Sequence, residues 1–184
     1  MNVAFCIGNG PSREKFNLEL LTNKGITYGC NYLIETYPLN NTIVVDRQAL
    51  ISMLSQNVQS RTKLYTRRKW QNGIDADVNY LNPPMSVIKN RWDNEIHWGS
   101  GAHALNLAAE QGAELIVMLG YDLYGSKVDP ACWIYQISRI FDKFPNTQFV
   151  QIQPKKWVVP FLWNNANFGV DNFTTLKNML KDQL

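Results

Sequence analysis

The stretch Val3-Ala4-Phe5-Cys6-Ile7-Gly8-Asn9-Gly10-Pro11-Ser12 decides the fold. Five apolar residues run without a break into Gly-Asn-Gly-Pro-Ser, and a polar stretch follows. A short apolar run of this kind suits a strand buried on both faces, as in the middle of a parallel sheet. Gly8 and Gly10 allow backbone angles and a close ligand approach that a side chain would block. Pro11 fixes one backbone dihedral, and Ser12 is a good N-cap for a helix predicted to begin near Arg13. A strand, a tight turn and a helix N-terminus with unpaired N–H groups make a cradle for phosphate. The same turn chemistry also describes a strand-to-helix connection that holds nothing.

Composition sets the frame around this unit. The 184 residues fit one domain, spanning 1–184, that buries about 70% of the surface an unfolded chain exposes. A content of 45% apolar and 18% charged residues is that of a soluble globular protein. No apolar run reaches the length of a bilayer span, and the immediate start of the first strand argues against a signal peptide. Cys6, Cys30 and Cys132 are widely spaced with no CxxC pair. Cys6 and Cys30 lie in apolar runs where a reduced thiol packs as a small hydrophobe, so a cytoplasmic protein is expected. A net charge of +3 is too mild to imply a nucleic-acid partner. Six Trp and eight Tyr are material for holding sugar or base rings, and equally for a core.

Further along, residues 14–21 are predicted to form a short helix, with residues 26–30 a second strand ending at Asn31. Residues 42–45 make a β-branched third strand ending at Asp46, and residues 48–54 a helix. Three strands thus end in polar groups at Gly8-Asn9, Asn31 and Asp46, and in an open α/β sheet such ends converge on the ligand crevice. Residues 63–66 and 86–88 are predicted strands. The basic cluster Arg67-Arg68-Lys69-Trp70 reads as a solvated face or a nucleic-acid contact. Asp75-Ala76-Asp77 has the form of the Asp-x-Asp site that holds Mg or Mn in many glycosyltransferases, and is also a common loop triplet. Trp98-Gly99-Ser100-Gly101 opens a helix whose Ala104, Ala108 and Ala109 allow close packing. Residues 115–119 are a buried strand ending at Gly120-Tyr121-Asp122. A helix over 133–144, a strand over 149–152 and a final helix capped by Asp171 complete a doubly wound, mostly parallel α/β sheet with helices on both faces. The aromatics Trp157, Phe161, Trp163 and Phe168 fit a core, an acceptor wall, a membrane-facing patch or a subunit interface.

Taken in order, Gly8-Asn9-Gly10-Pro11-Ser12, Gly29-Cys30-Asn31, Gly99-Ser100-Gly101 and Gly120-Tyr121-Asp122-Leu123-Tyr124 resemble the bacterial sialyltransferases of the Campylobacter lipooligosaccharide type. They also resemble the related 6-hydroxymethylpterin diphosphokinase-like family, whose short members are often phage-encoded. Both families have a Rossmann-like fold. The resemblance is clearest over residues 3–31 and 97–125. It implies a CMP-sugar donor and a glycan or other hydroxyl acceptor, with no metal and no cofactor required. It places nucleotide and phosphate contacts on Gly8, Asn9, Gly10, Ser12, Asn31, Ser100 and Gly101, with Asp46 and Asp122 beside them. Asp46 stands where that family tends to have Asn, and a carboxylate there suits a ribose or a ring N–H better than a phosphate. Tyr124 matches a tyrosine that stabilises the departing phosphate, whereas the second tyrosine position falls near Pro130. The family's histidine base lies after the Gly120 motif, where this chain has none. His97, just before the Ser-Gly turn, is the candidate in its place, and His103 in the following helix reads as structural.

Two other functions fit the same residues. A pterin-type diphosphokinase would use MgATP, with Asp46, Asp75, Asp77 and Asp122 as candidate ligands. A non-catalytic nucleotide-binding or structural protein would keep the fold without the chemistry. A homo-oligomer is compatible with any of the three.

Overall fold

A computed structural model describes residues 1–74, 76–123, 129–154 and 158–182. The apolar runs that open and divide the chain, β1 (Val3–Ile7) and β6 (Leu115–Leu119), are buried along their whole length and lie side by side. Their register runs from Val3 opposite Leu115 to Ile7 opposite Leu119. Outward from β1 come β2 (Ile26–Cys30), β3 (Asn41–Ile43), β4 (Lys63–Arg67) and β5 (Asn79–Leu81), and outward from β6 come β7 (Gln148–Ile152) and β8 (Phe168–Asp171). The eight strands are all parallel, in the order β5-β4-β3-β2-β1-β6-β7-β8. The chain therefore winds out one way from β1, returns, and winds out the other way from β6. This is a Rossmann-like doubly wound sheet whose direction switches between β1 and β6.

Alternation along each strand feeds two cores. Ala4, Cys6, Ile116 and Met118 face α2 (Ser100–Glu110) and α3 (Pro130–Lys143). Phe5, Ile7, Val117 and Leu119 face Leu50 and Met53 of α1 (Arg47–Ser55) and Leu176 and Leu180 of α4 (Phe173–Asp182). The small residues of α2 let it lie close: the Cys6 thiol reaches the Ala104 carbonyl at 3.7 Å. Of the C-terminal aromatics, Trp163 is buried and packs edge-on against Phe141 and Phe168, whereas Phe161 is 89% exposed. Trp157 lies outside the described residues.

Five local features depart from expectation. Residues 14–21 do not form a helix. Short 3-10 turns stand at Pro11–Arg13 and Leu18–Leu21, because the Asn17 side chain takes the Glu19 amide and starts a new turn. Residues 86–88 form no strand, and Val87 and Ile88 are exposed. The edge strand is instead β5, whose Tyr80 pairs with Thr66. Strand β8 is a second unanticipated edge strand, and Asn172 rather than Asp171 receives the first amides of α4.

Residues 89–98 form a loop fastened to α3 through Asp93 and to the end of β4 through Arg67. The buried Asp93 carboxylate accepts the Lys89 and Asn90 amides at 2.7 and 3.0 Å and the Tyr135 hydroxyl at 3.2 Å. It also pairs with Arg139 at 3.3 Å. Burial alone would raise its pKa, but these amides, with Tyr135 and Arg139, hold it below the ordinary carboxylate value. Asp93→Asn keeps the shape and removes the charge, and is expected to cost about 1.5 kcal/mol. Thermal denaturation followed by circular dichroism checks this.

Candidate functional site

The loops after β1 and β6 meet at the switch point and clasp each other. The Gly8 amide donates to the Leu119 carbonyl at 2.8 Å, and the Gly10 amide to the Gly120 carbonyl at 2.9 Å. The Ser12 amide donates to Asp122 Oδ2 at 2.8 Å, and Arg13 Nε to the Gly8 carbonyl at 2.6 Å. A Cβ on Gly8 would sit 2.5 Å from the Gly120 carbonyl oxygen, and one on Gly10 would sit 2.1 Å from Asp122 Oδ2. Gly120 itself has φ +70. The Gly-x-Gly spacing is thus needed for loop-to-loop contact, a demand that leaves the same mark on sequence as a ligand. Ser12 is not an N-cap. Gly10 occupies the cap position without a side-chain bond, and Ser12 Oγ is shut from solvent with no partner. Asp122 closes the clasp and also receives Gln153 Nε2 at 3.5 Å. At Gly101 a Cβ would strike the Trp133 ring at 2.5 Å, and the Gly101 carbonyl accepts the Tyr121 hydroxyl.

Open space lies beside the clasp, over the ends of β1, β2 and β3. This first hollow, about 500 Å³, is lined by Asn9, Arg13, Asn31, Tyr32, Leu33, Thr36, Asp46, Gln48 and Ala49. Asn31 follows β2 with φ +52, a left-handed conformation that Asn tolerates better than most residues. Its Oδ1 meets Ser100 Oγ at 3.4 Å, tying β2 to the start of α2. Gly99 caps α2 without a side-chain bond, so the first amides of α2 point outward beside Asn31. The Asp46 carboxylate takes the Ala49 amide at 2.9 Å and caps α1 while lining the hollow. Arg13 is half-buried, burial lowers its pKa, and it forms no ion pair with any described residue.

A second hollow of about 500 Å³ adjoins the first, since Val45 lines it and the next residue, Asp46, lines the first. It is lined by Val45, Arg67, Arg91, Trp92, His97, Trp98, Gly99, Asp129 and Cys132. His97 is exposed here, on a 3-10 turn (Glu95–His97) whose last carbonyl accepts Gln136 Nε2 at 3.1 Å. Arg67 departs from the expected basic cluster: Arg68 and Lys69 are exposed, but Arg67 ends β4 and is only 9% exposed. The position was legible as a polar strand end, and the run of basic neighbours masked it.

His103, one turn into α2, is buried and neither ring nitrogen has a partner. Burial, with Arg67 nearby, pulls its pKa from 6.5 down to about 3. The unfolded chain binds a proton below 6.5 that the folded protein refuses. Stability is therefore intact above 6.5 and falls as pH drops toward 3, by up to about 1.4 kcal/mol per pH unit. Urea unfolding at pH 7.5 and 5.5 should show a clear loss in the wild type and a smaller one in His103→Leu.

The sequence candidates are thus distributed. Asn9, Asn31 and Asp46 share the first hollow with Arg13, and Ser100 meets Asn31 through its hydroxyl. Gly8, Gly10, Ser12 and Asp122 form the clasp, and Gly101 packs on Trp133. His97 is in the second hollow, and Tyr124 lies outside the described residues, as does Asp75. Among the described residues no three of His, Cys, Asp and Glu gather as metal ligands. Asp46 caps a helix, Asp122 closes the clasp, and Asp77 is exposed apart from both. No described helix is long and apolar enough to cross a membrane.

No family model matches the chain, and no curated protein does. Among solved structures, the MAf glycosyltransferase from Magnetospirillum magneticum AMB-1 matches with a TM-score of 0.64 and 12% identity, over 99% of this chain and 36% of that one. The chain thus spans little more than a third of that protein's length. At this identity the likeness is one of fold.

Proposed function

We propose that the chain binds a nucleotide-activated sugar, a CMP-sugar by the motif resemblance, and transfers the sugar to a hydroxyl acceptor without a metal. The observation that carries this reading is the pair of neighbouring hollows, the first lined by Asp46 and the second by Val45 just before it. A transfer reaction needs two adjacent sites at one reacting centre, and the C-terminal edge of a doubly wound sheet is where such sites form. The first hollow takes the nucleotide. Asn31 and Asp46 offer hydrogen-bonding groups to the base or ribose, and Arg13 with Asn9 meets the phosphate. The outward amides at the start of α2 and its dipole stabilise the leaving phosphate's charge. Gly8, Gly10, Ser12 and Asp122 hold Asn9 and Arg13 in place through the clasp. His97, in the second hollow, is the base that takes the acceptor proton, and Tyr124 assists the leaving group by the resemblance alone.

The fold likeness to the MAf glycosyltransferase is consistent with this reading. The test is a mass-spectrometric screen of CMP-sugars and of MgATP against hydroxyl acceptors, with and without EDTA. Glycosylated product with release of CMP is expected. Hydrolysis or transfer confined to MgATP, and abolished by EDTA, would replace the reading with pyrophosphate transfer.

A further inference from the structure

We infer that the second hollow is an oxyanion-binding site, and that the acceptor it takes is an acidic compound carrying a carboxylate or a phosphate. The word acceptor rests on the proposed function; the oxyanion site does not. Arg67 is the reason. Its Nη2 donates to the backbone carbonyls of Ile96 and Trp98 at 3.2 and 2.6 Å, which fixes the plane of the guanidinium. Its Nε is shut from solvent and has no partner, and it forms no ion pair with any described residue. A guanidinium stays charged when buried, so one left without a counter-ion is costly to the fold. That cost is understandable where an anion in the hollow, which Arg67 lines, supplies the missing counter-charge to the guanidinium rather than a partner to the enclosed Nε.

The carboxylates around Arg67 do not fill the role. Asp46 and Glu95 act on it only through space, and Asp129, on the wall of the hollow, accepts the Ala131 amide at 3.0 Å and caps α3. A second cation, Arg91, lines the same space and stands over the Trp92 ring at 5.4 Å. Two guanidiniums suit a carboxylate or phosphate through paired N–H donors, and Trp92 offers a face for the attached ring. His97 lies on the same wall, where it can meet a hydroxyl of the anchored molecule.

The test is calorimetric titration with glucuronate, glucose 6-phosphate and neutral glucose. At least one acidic sugar is expected to bind tenfold or more tightly than glucose, and the better of the two identifies the oxyanion. Arg91→Gln, at an exposed position, is expected to weaken that binding about tenfold, and Arg67→Gln further, with CMP affinity unchanged in Arg91→Gln. If Arg67→Gln does not fold, Arg91→Gln and Arg67→Lys carry the comparison. Equal affinity for glucose and both acidic sugars, no binding of either acid, or wild-type affinity in Arg91→Gln would overturn the proposal. If acidic sugars bind through Arg91 and Arg67 while CMP does not bind, the oxyanion site stands and the transfer reading falls.

Discussion

Gly10→Ala is expected to cost about 3 kcal/mol of folding stability and to lower Tm by about 6 to 12 °C. The added Cβ would lie 2.1 Å from Asp122 Oδ2 and 2.5 Å from the Gly120 carbonyl oxygen. Asp122 cannot move aside freely, because the same oxygen holds the Ser12 amide. The Gly120 carbonyl is backbone, and it accepts the Gly10 amide. Relief therefore requires the loops after β1 and β6 to part, breaking both bonds. Gly169→Ala is the matched control, since nothing lies within 4 Å of its Cβ position. It is expected to change stability by less than about 0.5 kcal/mol. Comparable melting of the two variants in a calorimeter would mean that the clasp is not a constraint on the fold.

Arg13→Gln is expected to weaken CMP binding about 30-fold, near 2 kcal/mol, because it removes a charged donor from the first hollow. The side chain is anchored through Nε to the Gly8 carbonyl, and no ion pair to a described residue neutralises it. That arrangement leaves the outer nitrogens of the guanidinium for an anion. Arg13→Lys should recover part of the affinity through charge but not the fixed direction. Cytidine, which lacks the phosphate, should bind both variants and the wild type alike. An equal loss of cytidine and CMP affinity in Arg13→Gln would indicate a distorted hollow instead. Titration followed by tryptophan fluorescence or calorimetry separates these outcomes.

Much of the fold is readable in the chain because its central strands are continuous apolar runs. Val3–Ile7 and Leu115–Leu119 can be buried on both faces and little else, and the alanines of Ser100–Glu110 mark a helix pressed against them. The edges are less legible. Asn79–Leu81 and Phe168–Asp171 are strands through their pairing with β4 and β7, and neither has the apolar run or strict alternation that would announce it. The site divides along the same line. Asn31 and Asp46 stand out as polar ends of apolar strands, and both line the first hollow. The purpose of Gly8 and Gly10 was hidden, because a neighbouring loop and a ligand make the same demand for a missing Cβ. The loop's share of that demand shows only in Asp122, more than a hundred residues away, which takes the Ser12 amide. Arg67 was hidden by company: two exposed basic neighbours give it the look of a surface charge.

On the proposed reading a nucleotide lies in the first hollow, beside the clasp rather than within it. The most direct measurement is a crystal structure of the protein soaked with CMP. The phosphate is expected against Arg13 and Asn9, near the start of α2, with the cytosine or ribose beside Asn31 and Asp46. Density for CMP between the β1 and β6 loops, displacing Asp122 from the Ser12 amide, would contradict that reading, as would an empty hollow at saturating CMP.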